Sequence, residues 1–313
     1  MEIKKAVITA AGRGARLYPA ADTVQKAMLP LVDRDGLAKP VLQVIAEEAI
    51  DSGIEEICVV CAPGDEEQYR ARFKSLRSNL LEGYTGVAWA EEEAERISDL
   101  MRRLYFAVQE QARGYGHAVY SARDFAENEP FLLLLGDHLY ISHVPGQRCA
   151  QQLIDLARSE SCAVAAVQAT REHLVGRYGT LSGRRESNMP GVYRIEKIVE
   201  KPSVSRAELE LQTPGLRSGH YLCFFGIYVL TPLVLELLSR EMDADELQLT
   251  PALNELAGRE RYLALEVKGA RYDIGAQLGW FQAQLALGLA GQARDQMLTT
   301  MVDLLAESRV DRS

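Results

Sequence analysis

The run FLLLLGD at residues 131–137 limits the fold more than any other stretch of this chain. Five consecutive apolar residues closed by Gly136 and Asp137 leave no polar face, which is the pattern of a strand buried on both sides. Upstream, KAVITAA, PVLQVIAEEAIDSG, EEICVVCA and a helical stretch from Asp65 to about Lys74 alternate strand and helix patterns. That order predicts βαβ units around a largely parallel sheet. Ligands of such sheets sit beyond the carboxyl ends of the strands, so Asp137 ends its strand where a site is expected.

Downstream of Ala163 the strands AVAAVQA, YGTLSG, GVYRIEKIVEK and LCFFGIYVL read as an extension of the same sheet rather than as a separate domain. Helices are expected at Pro232 to Ser239 and Pro251 to Ala257, followed by the strand LALEVK. Two amphipathic helices close the chain, from about Gln277 to Leu289 and Ala293 to Glu307, with Leu285, Leu287, Leu289, Met297, Met301, Leu304 and Leu305 as the apolar set. They suit packing on the body or on a second subunit. The charged segment from Ala90 to about Arg103, with its EEEAER run, is expected to be a helix presenting a solvated face.

A chain of 313 residues, 47% hydrophobic, can bury a substantial core as one large or two small domains. Its formal charge of -9 and pI near 5.3 argue against a broad basic surface, hence against nucleic-acid or membrane partners, and make any phosphate site local. No apolar run approaches spanning length and the start MEIKK carries no cleavable signal pattern, so the expected location is the cytoplasm. Five scattered cysteines do not form a disulfide framework. Cys58 and Cys61 have CxxC spacing, but on a strand residues three apart face opposite ways, which speaks against a redox or zinc pair.

AAGRGARLYP follows the first strand. Gly12 and Gly14 allow close approach of a polyphosphate to the backbone, and Arg16 offers a charged fork. Leu17 stands where GxGxxG would need its third glycine, and GxxxxGK[ST] is missing, so a nicotinamide-binding turn and a P-loop are both disfavoured. Lys26 lies in QKAMLPL, a packed turn that would hold it in place.

GxGxR followed by K-x-M-L-P resembles the signature of the sugar nucleotidylyltransferases, and within them the bacterial glucose-1-phosphate uridylyltransferases. Further motifs continue the likeness from Lys5 to about Leu289: VQEQARGYGHAV around Gln109 and Gly114, LLGDH at Asp137, RYGTL at Gly179, VEKP at Glu200 and Lys201, DELQLT, and KGARYDIG through Asp273 to Gly275. The resemblance implies an α/β, Rossmann-like nucleotidyltransferase fold with a mostly parallel mixed central sheet and a sugar-binding extension. It implies a domain over 1–290, with the nucleotide part at about 1–140 and the sugar part at about 141–275, and a C-terminal helix at 291–313.

The reaction implied is attack of a sugar 1-phosphate oxygen on the α-phosphorus of UTP, giving UDP-glucose and pyrophosphate without a protein nucleophile. Ala11, Gly12, Gly14, Gln109 and Gly114 would bind the nucleotide, Gln109 reading the O4 and N3–H edge of the base. Arg16, Lys26 and Lys201 would be the catalytic cations, with Gly179, Glu200 and Lys201 on the sugar phosphate. Asp137 and Asp273, each beside a glycine, would hold Mg²⁺ as hard oxygen ligands. A homo-oligomer, dimer or tetramer, is also implied. Ala15, Glu110 and His138 depart from the usual pattern and bear on substrate choice rather than reaction class; His138 could touch the sugar phosphate or simply cap a strand end. A thymidylyltransferase or other sugar-specific relative is the nearest rival. A silent nucleotide-sugar-binding paralogue is the alternative of another class.

Overall fold

The computed structural model describes residues 1–19 and 23–310; the last three residues of the expected C-terminal segment lie outside that description. Thirteen strands are assigned there. In chain order they are β1 (Lys5–Thr9), β2 (Pro30–Val32), β3 (Ala38–Pro40), β4 (Glu56–Cys61), β5 (Leu104–Val108), β6 (Phe131–Leu135) and β7 (His138–Ser142). Then come β8 (Ala163–Arg171), β9 (Thr180–Arg185), β10 (Val192–Val199), β11 (His220–Leu230), β12 (Tyr262–Glu266) and β13 (Gly269–Asp273).

Nine of these form one sheet in the order β5-β4-β1-β6-β11-β8-β12-β10-β9. The block β5-β4-β1-β6 is parallel throughout, and β12 runs parallel to β8. The strands β11, β10 and β9 enter antiparallel, so the second half of the chain extends the same sheet as expected but gives it mixed character. Alternation along the parallel strands fills both faces. Ala6, Ile8, Leu132, Leu134, Val59 and Cys61 belong to one core cluster, while Val7, Leu133, Cys58 and Val60 belong to the other. Cys58 and Cys61 thus point to opposite faces, both buried. Burial pushes their thiols up to about 12 and about 11, so neither is a ready thiolate.

Several sequence expectations need correction. The helix starting at Asp65 runs on to Gly83, and it packs against the helix Ala88–Arg103. The EEEAER run is not wholly solvated. Its Glu93 is buried and accepts from the buried Gln43 amide at 2.5 Å, because the period of the helix turns that position with Ala90, Ala94 and Ile97 toward the core. At the C-terminus, Leu287 packs inside, whereas Leu304 remains 60% exposed. No helix among the described residues is long and apolar enough to cross a membrane.

The helix Val41–Ile50 is buried along most of its length, as its apolar sequence demands. One of its side chains does unusual work: Glu48 Oε1 accepts from the Ala150 backbone N–H at 2.9 Å, satisfying a free donor in the first turn of the helix Cys149–Glu160. Burial of this carboxyl raises it to about 7, against the opposing pull of the Ala150 hydrogen bond and of Arg34.

Candidate active site

The carboxyl ends of β1, β5 and β6 meet in one place. Thr9 ends β1, Gln109 follows β5, and Gly136 and Asp137 follow β6. Gly136 N–H donates to the Thr9 carbonyl at 3.0 Å, and a side chain at Gly136 would collide with the Thr9 and Ala10 backbone. Only glycine lets the two strand ends close on each other there, which carries Asp137 to the rim. From Asp137 the chain turns into β7, and β13 pairs antiparallel with it, Asp273 opposite His138. A two-stranded ribbon therefore unites carboxylates that lie more than a hundred residues apart in sequence.

Arg16 and Lys26 converge on the carboxylates at that ribbon, with His138 beside them. Lys26 Nζ is 2.9 Å from Asp137 Oδ2, with the lysine side chain only 10% exposed. Arg16 forks onto Asp273, NH1 to Oδ2 at 2.9 Å and NH2 to Oδ1 at 3.4 Å, and its NH2 is 3.8 Å from Asp137 Oδ2. His138 Nδ1 lies 2.9 Å from Asp137 Oδ1. Burial alone would raise the Asp137 carboxyl, but His138 and Lys26 outweigh it and hold it well below the usual carboxylate range. Gly275 keeps the centre open. A Cβ there would stand 2.6 Å from Arg16 NH2 and 3.0 Å from Asp137 Oδ2.

Two cavities adjoin at this point and share Tyr115, Leu135 and Asp137 in their walls. The first, about 390 Å³, is bounded by Ala11, Gly12, Lys26, Gln109 and Gly114. The second, about 540 Å³, is bounded by Arg16, Gly179, Glu200, Lys201 and Asp273. The candidate residues named from the sequence are thus brought together, with one exception. Gly14 is not in either wall; it takes a left-handed φ of 65° and its carbonyl accepts from Leu17 N–H, so it shapes the turn that carries Arg16.

In the first cavity the Gln109 amide is already engaged. Its Nε2 donates to the Gly114 carbonyl at 3.2 Å and lies 3.1 Å from His117 Nδ1, leaving Oε1 as its unused group. His117 is held below its ordinary value by burial and by Arg113, which favours the neutral ring that can accept there. Gly114, at φ 95°, faces the Leu247 carbonyl so closely that a Cβ would stand 2.6 Å from it, which seats this loop against DELQLT.

In the second cavity, Glu200 Oε2 accepts from the Thr250 hydroxyl at 2.7 Å and Glu200 Oε1 is 3.5 Å from Lys201 Nζ. Lys201 has φ 40° immediately before Pro202, a conformation costly for a residue that precedes proline and retained where neighbouring structure imposes it. Gly179 lies under the Phe224 ring, where a Cβ would approach to 2.8 Å. Sequence reasoning missed Tyr115, Arg177, Tyr178, Phe224, Tyr228 and Arg271, which also line this space. For Arg271 a signal existed: it stands two residues before Asp273 on one strand and so shares its face.

Asp137, His138 and Asp273 each offer a ligand atom, all within 4.8 Å of one another. Two carboxylates open to a polar cavity fit a hard divalent cation that completes its shell with phosphate and water. The arrangement can therefore gather anions at a junction where cations already converge, with a different kind of pocket on each side.

Comparison with known proteins gives the same picture over the whole chain. Residues 5–288 match the nucleotidyl transferase family. The chain is 35% identical over 307 residues to the UTP--glucose-1-phosphate uridylyltransferase YngB of Bacillus subtilis (strain 168), covering 97% of this chain and 96% of that protein. It is 34% identical over 311 residues to the UTP--glucose-1-phosphate uridylyltransferase of Streptococcus pneumoniae serotype 4, with 97% and 96% covered. Among solved structures, a UDP-glucose pyrophosphorylase complexed with UDP-glucose superposes with TM-score 0.72 at 31% identity over 91% of this chain and 98% of that one. The UTP-bound enzyme from Acinetobacter baumannii gives 0.76 at 28% identity, with 97% and 100% covered. With the site geometry, the fold and the full-length matches in agreement, the chain belongs to the nucleotidyl transferase family.

Proposed function

We propose that this chain transfers the uridylyl group of UTP to glucose 1-phosphate, releasing pyrophosphate and forming UDP-glucose. The observation that carries the reading is the junction itself. Arg16, Lys26, Asp137 and Asp273 meet where a cavity walled by Gly12 and Gln109 adjoins one walled by Glu200 and Lys201. The uridylyltransferase names of the relatives at 34–35% identity favour it over a thymidylyltransferase.

In this reading Ala11, Gly12 and Gly114 receive the nucleotide, and Gly14 presents Arg16. Arg16 and Lys26 bear on the triphosphate and stabilise charge as pyrophosphate departs. Lys201 holds the phosphate of the sugar, Glu200 accepts from sugar hydroxyls, and Gly179 leaves room for the ring under Phe224. Holding both anions in place supplies the entropy that the bimolecular encounter lacks. Asp137 and Asp273 would hold Mg²⁺, which when bound neutralises phosphate charge and so lowers the repulsion between the two substrates. The nucleotide part is assigned to about 1–140 and the sugar part to about 141–275.

The five buried free thiols suit a reducing compartment such as the cytoplasm. Leu278, Phe281, Val302 and Leu304, each at least 60% exposed on the two C-terminal helices, are the proposed seat of homo-oligomer contacts. The test of function is pyrophosphate release from UTP and glucose 1-phosphate with Mg²⁺. No release with any pairing of nucleoside triphosphate and sugar 1-phosphate would refute the reading and favour a silent binding paralogue.

A further inference from the structure

Among the described residues, the cations of the acceptor cavity fall into two groups: Arg16 is tied to Asp273 and Lys201 has Glu200 beside it, whereas Arg177 and Arg271 have no carboxylate partner, and of these two Arg177 is exposed and Arg271 is not. Arg271 is half-buried, yet among the described residues no carboxylate lies within ion-pairing distance of it. Its close contacts are with neutral groups: one N–H donates to the Phe224 carbonyl, and the guanidinium sits 3.9 Å from the centre of the Tyr178 ring.

Those contacts hold the guanidinium in place without neutralising it. A guanidinium has five N–H donors, and the Phe224 carbonyl takes one. The tyrosine face offsets the charge only weakly. Among the described residues no counter-ion comes from behind either. Tyr178 and Arg271 also wall a neighbouring cavity of about 420 Å³, whose other ionisable lining residues are Arg171 and His173. In a chain of net charge -9 this is a local concentration of positive charge around a pocket. Partial burial of an unpaired cation is unfavourable unless an anion enters beside it.

We propose that Arg271 is a substrate-binding residue that grips the phosphate of the acceptor sugar 1-phosphate together with Lys201. This rests on the reading of the chain as a sugar-1-phosphate uridylyltransferase. The two cations divide the task. Lys201 is 61% exposed on a flexible stem and acts as a movable point charge, whereas Arg271 is a planar fork already fixed by Phe224 and Tyr178. Arg271 and Asp273 leave the same face of β13, so the fork sets the phosphate's angle relative to the junction where the α-phosphorus must be attacked in line.

A purely structural role would be to tie Tyr178 to Phe224 as a wall. Arg271→Gln separates the two, because it can still donate to the Phe224 carbonyl but carries no charge. Arg271→Ala and Arg271→Lys complete the series, and steady-state kinetics of the full-length protein with UTP, glucose 1-phosphate and Mg²⁺ is the measurement. The KM for glucose 1-phosphate should rise at least tenfold in the Gln and Ala variants and less in Lys, with the KM for UTP within twofold of wild type throughout. An unchanged KM for glucose 1-phosphate in the Gln variant overturns the proposal. Equal increases for both substrates also overturn it, since they report a collapsed wall. Wild-type protein inactive with every sugar 1-phosphate overturns the functional reading, and this assignment with it; an active wild type with an indifferent Gln variant overturns the assignment alone.

Discussion

Lys26 Nζ stands 2.9 Å from Asp137 Oδ2 with nine-tenths of the lysine side chain buried, while Arg16, bound to Asp273, is 60% exposed. The two cations therefore differ in what their loss does to the fold. Lys26→Ala leaves Asp137 short of a counter-charge in a partly buried site and should lower the Tm by a few degrees. Arg16→Ala should leave it within about 2 °C. Both should reduce kcat/KM by about 10²-fold or more, as loss of one preorganised charge donor does. Unfolding of the Arg16 variant, or full activity in either, would contradict these roles.

Metal removal addresses Asp137 and Asp273. Activity should vanish in excess chelator and return with added Mg²⁺, because both carboxylates meet at the junction of the two cavities. Asp137→Asn and Asp273→Asn should each abolish turnover at ordinary Mg²⁺ concentrations while leaving the protein folded. Gly275→Ala provides a separate check, since its methyl would press on Arg16, Asp273 and Asp137 at once. That variant should lose most activity with little change in Tm. Undiminished turnover in chelator would remove the metal from the account.

Glu48 supplies a pH dependence remote from the junction. Its folded-state carboxyl titrates at about 7 instead of 4.5, so between those values the folded protein binds a proton that the unfolded chain releases. Stability from this group is greatest below pH 4.5 and declines as the pH rises toward 7, by about 3 kcal/mol in all. Glu48→Gln keeps an oxygen acceptor for Ala150 N–H without the buried charge. Denaturant unfolding should find the variant more stable than wild type at pH 8, with the advantage shrinking toward zero at pH 4.5. A variant less stable at pH 8 would show that Arg148, whose NH1 is 3.8 Å from Glu48 Oε2, and Arg34 more than compensate the buried carboxylate.

Much of this arrangement could be read in the sequence because it depends on local pattern. FLLLLGD is apolar on both faces because β6 is packed on both, Leu132 and Leu134 in one core cluster and Phe131 and Leu133 in the other, and Asp137 follows directly from its end. Arg16, Lys26, Glu200 and Lys201 lie in short motifs whose spacing survives in one dimension. What was hidden depends on pairing across the chain. The β7·β13 ribbon that sets Asp273 opposite His138 has no local signature, and neither does the fork of Arg16 onto Asp273. Glu93 is not legible locally because three consecutive glutamates look solvated, although helical period turns the last of them inward against Gln43. Arg271 inside KGARYDIG carries no signal beyond its alternation with Asp273, because an arginine beside a tyrosine on a short ribbon reads as surface and only the fold brings Tyr178 and Phe224 around it.

In the proposed function the choice of base is assigned to one amide and its neighbour. Gln109 was expected to offer a donor and an acceptor side by side, but its nitrogen is occupied by the Gly114 carbonyl and lies within reach of His117. The remaining Oε1 accepts a hydrogen bond and donates none. Uracil and thymine carry N3–H and satisfy it, whereas cytosine presents an unprotonated nitrogen at that position and leaves two acceptors facing each other. An unmatched buried polar group costs about 1–3 kcal/mol, so UTP should exceed CTP in kcat/KM by about tenfold or more. Gln109→Ala should narrow that ratio chiefly by weakening UTP. His117→Ala frees the amide hydrogen that now faces the ring, and should preserve or improve the preference, which separates a supporting role for His117 from direct base reading. UTP against dTTP involves a methyl group and a ribose hydroxyl that the amide does not touch, and there the likeness to uridylyltransferases is what favours UTP. The measurement is a matrix of UTP, dTTP, CTP, ATP and GTP against glucose, galactose and N-acetylglucosamine 1-phosphates. A purine triphosphate ranked first would contradict the part assigned to Gln109. A sugar other than glucose ranked first would leave that part intact and instead move the assignment of Glu200 and Gly179 to a different set of hydroxyls.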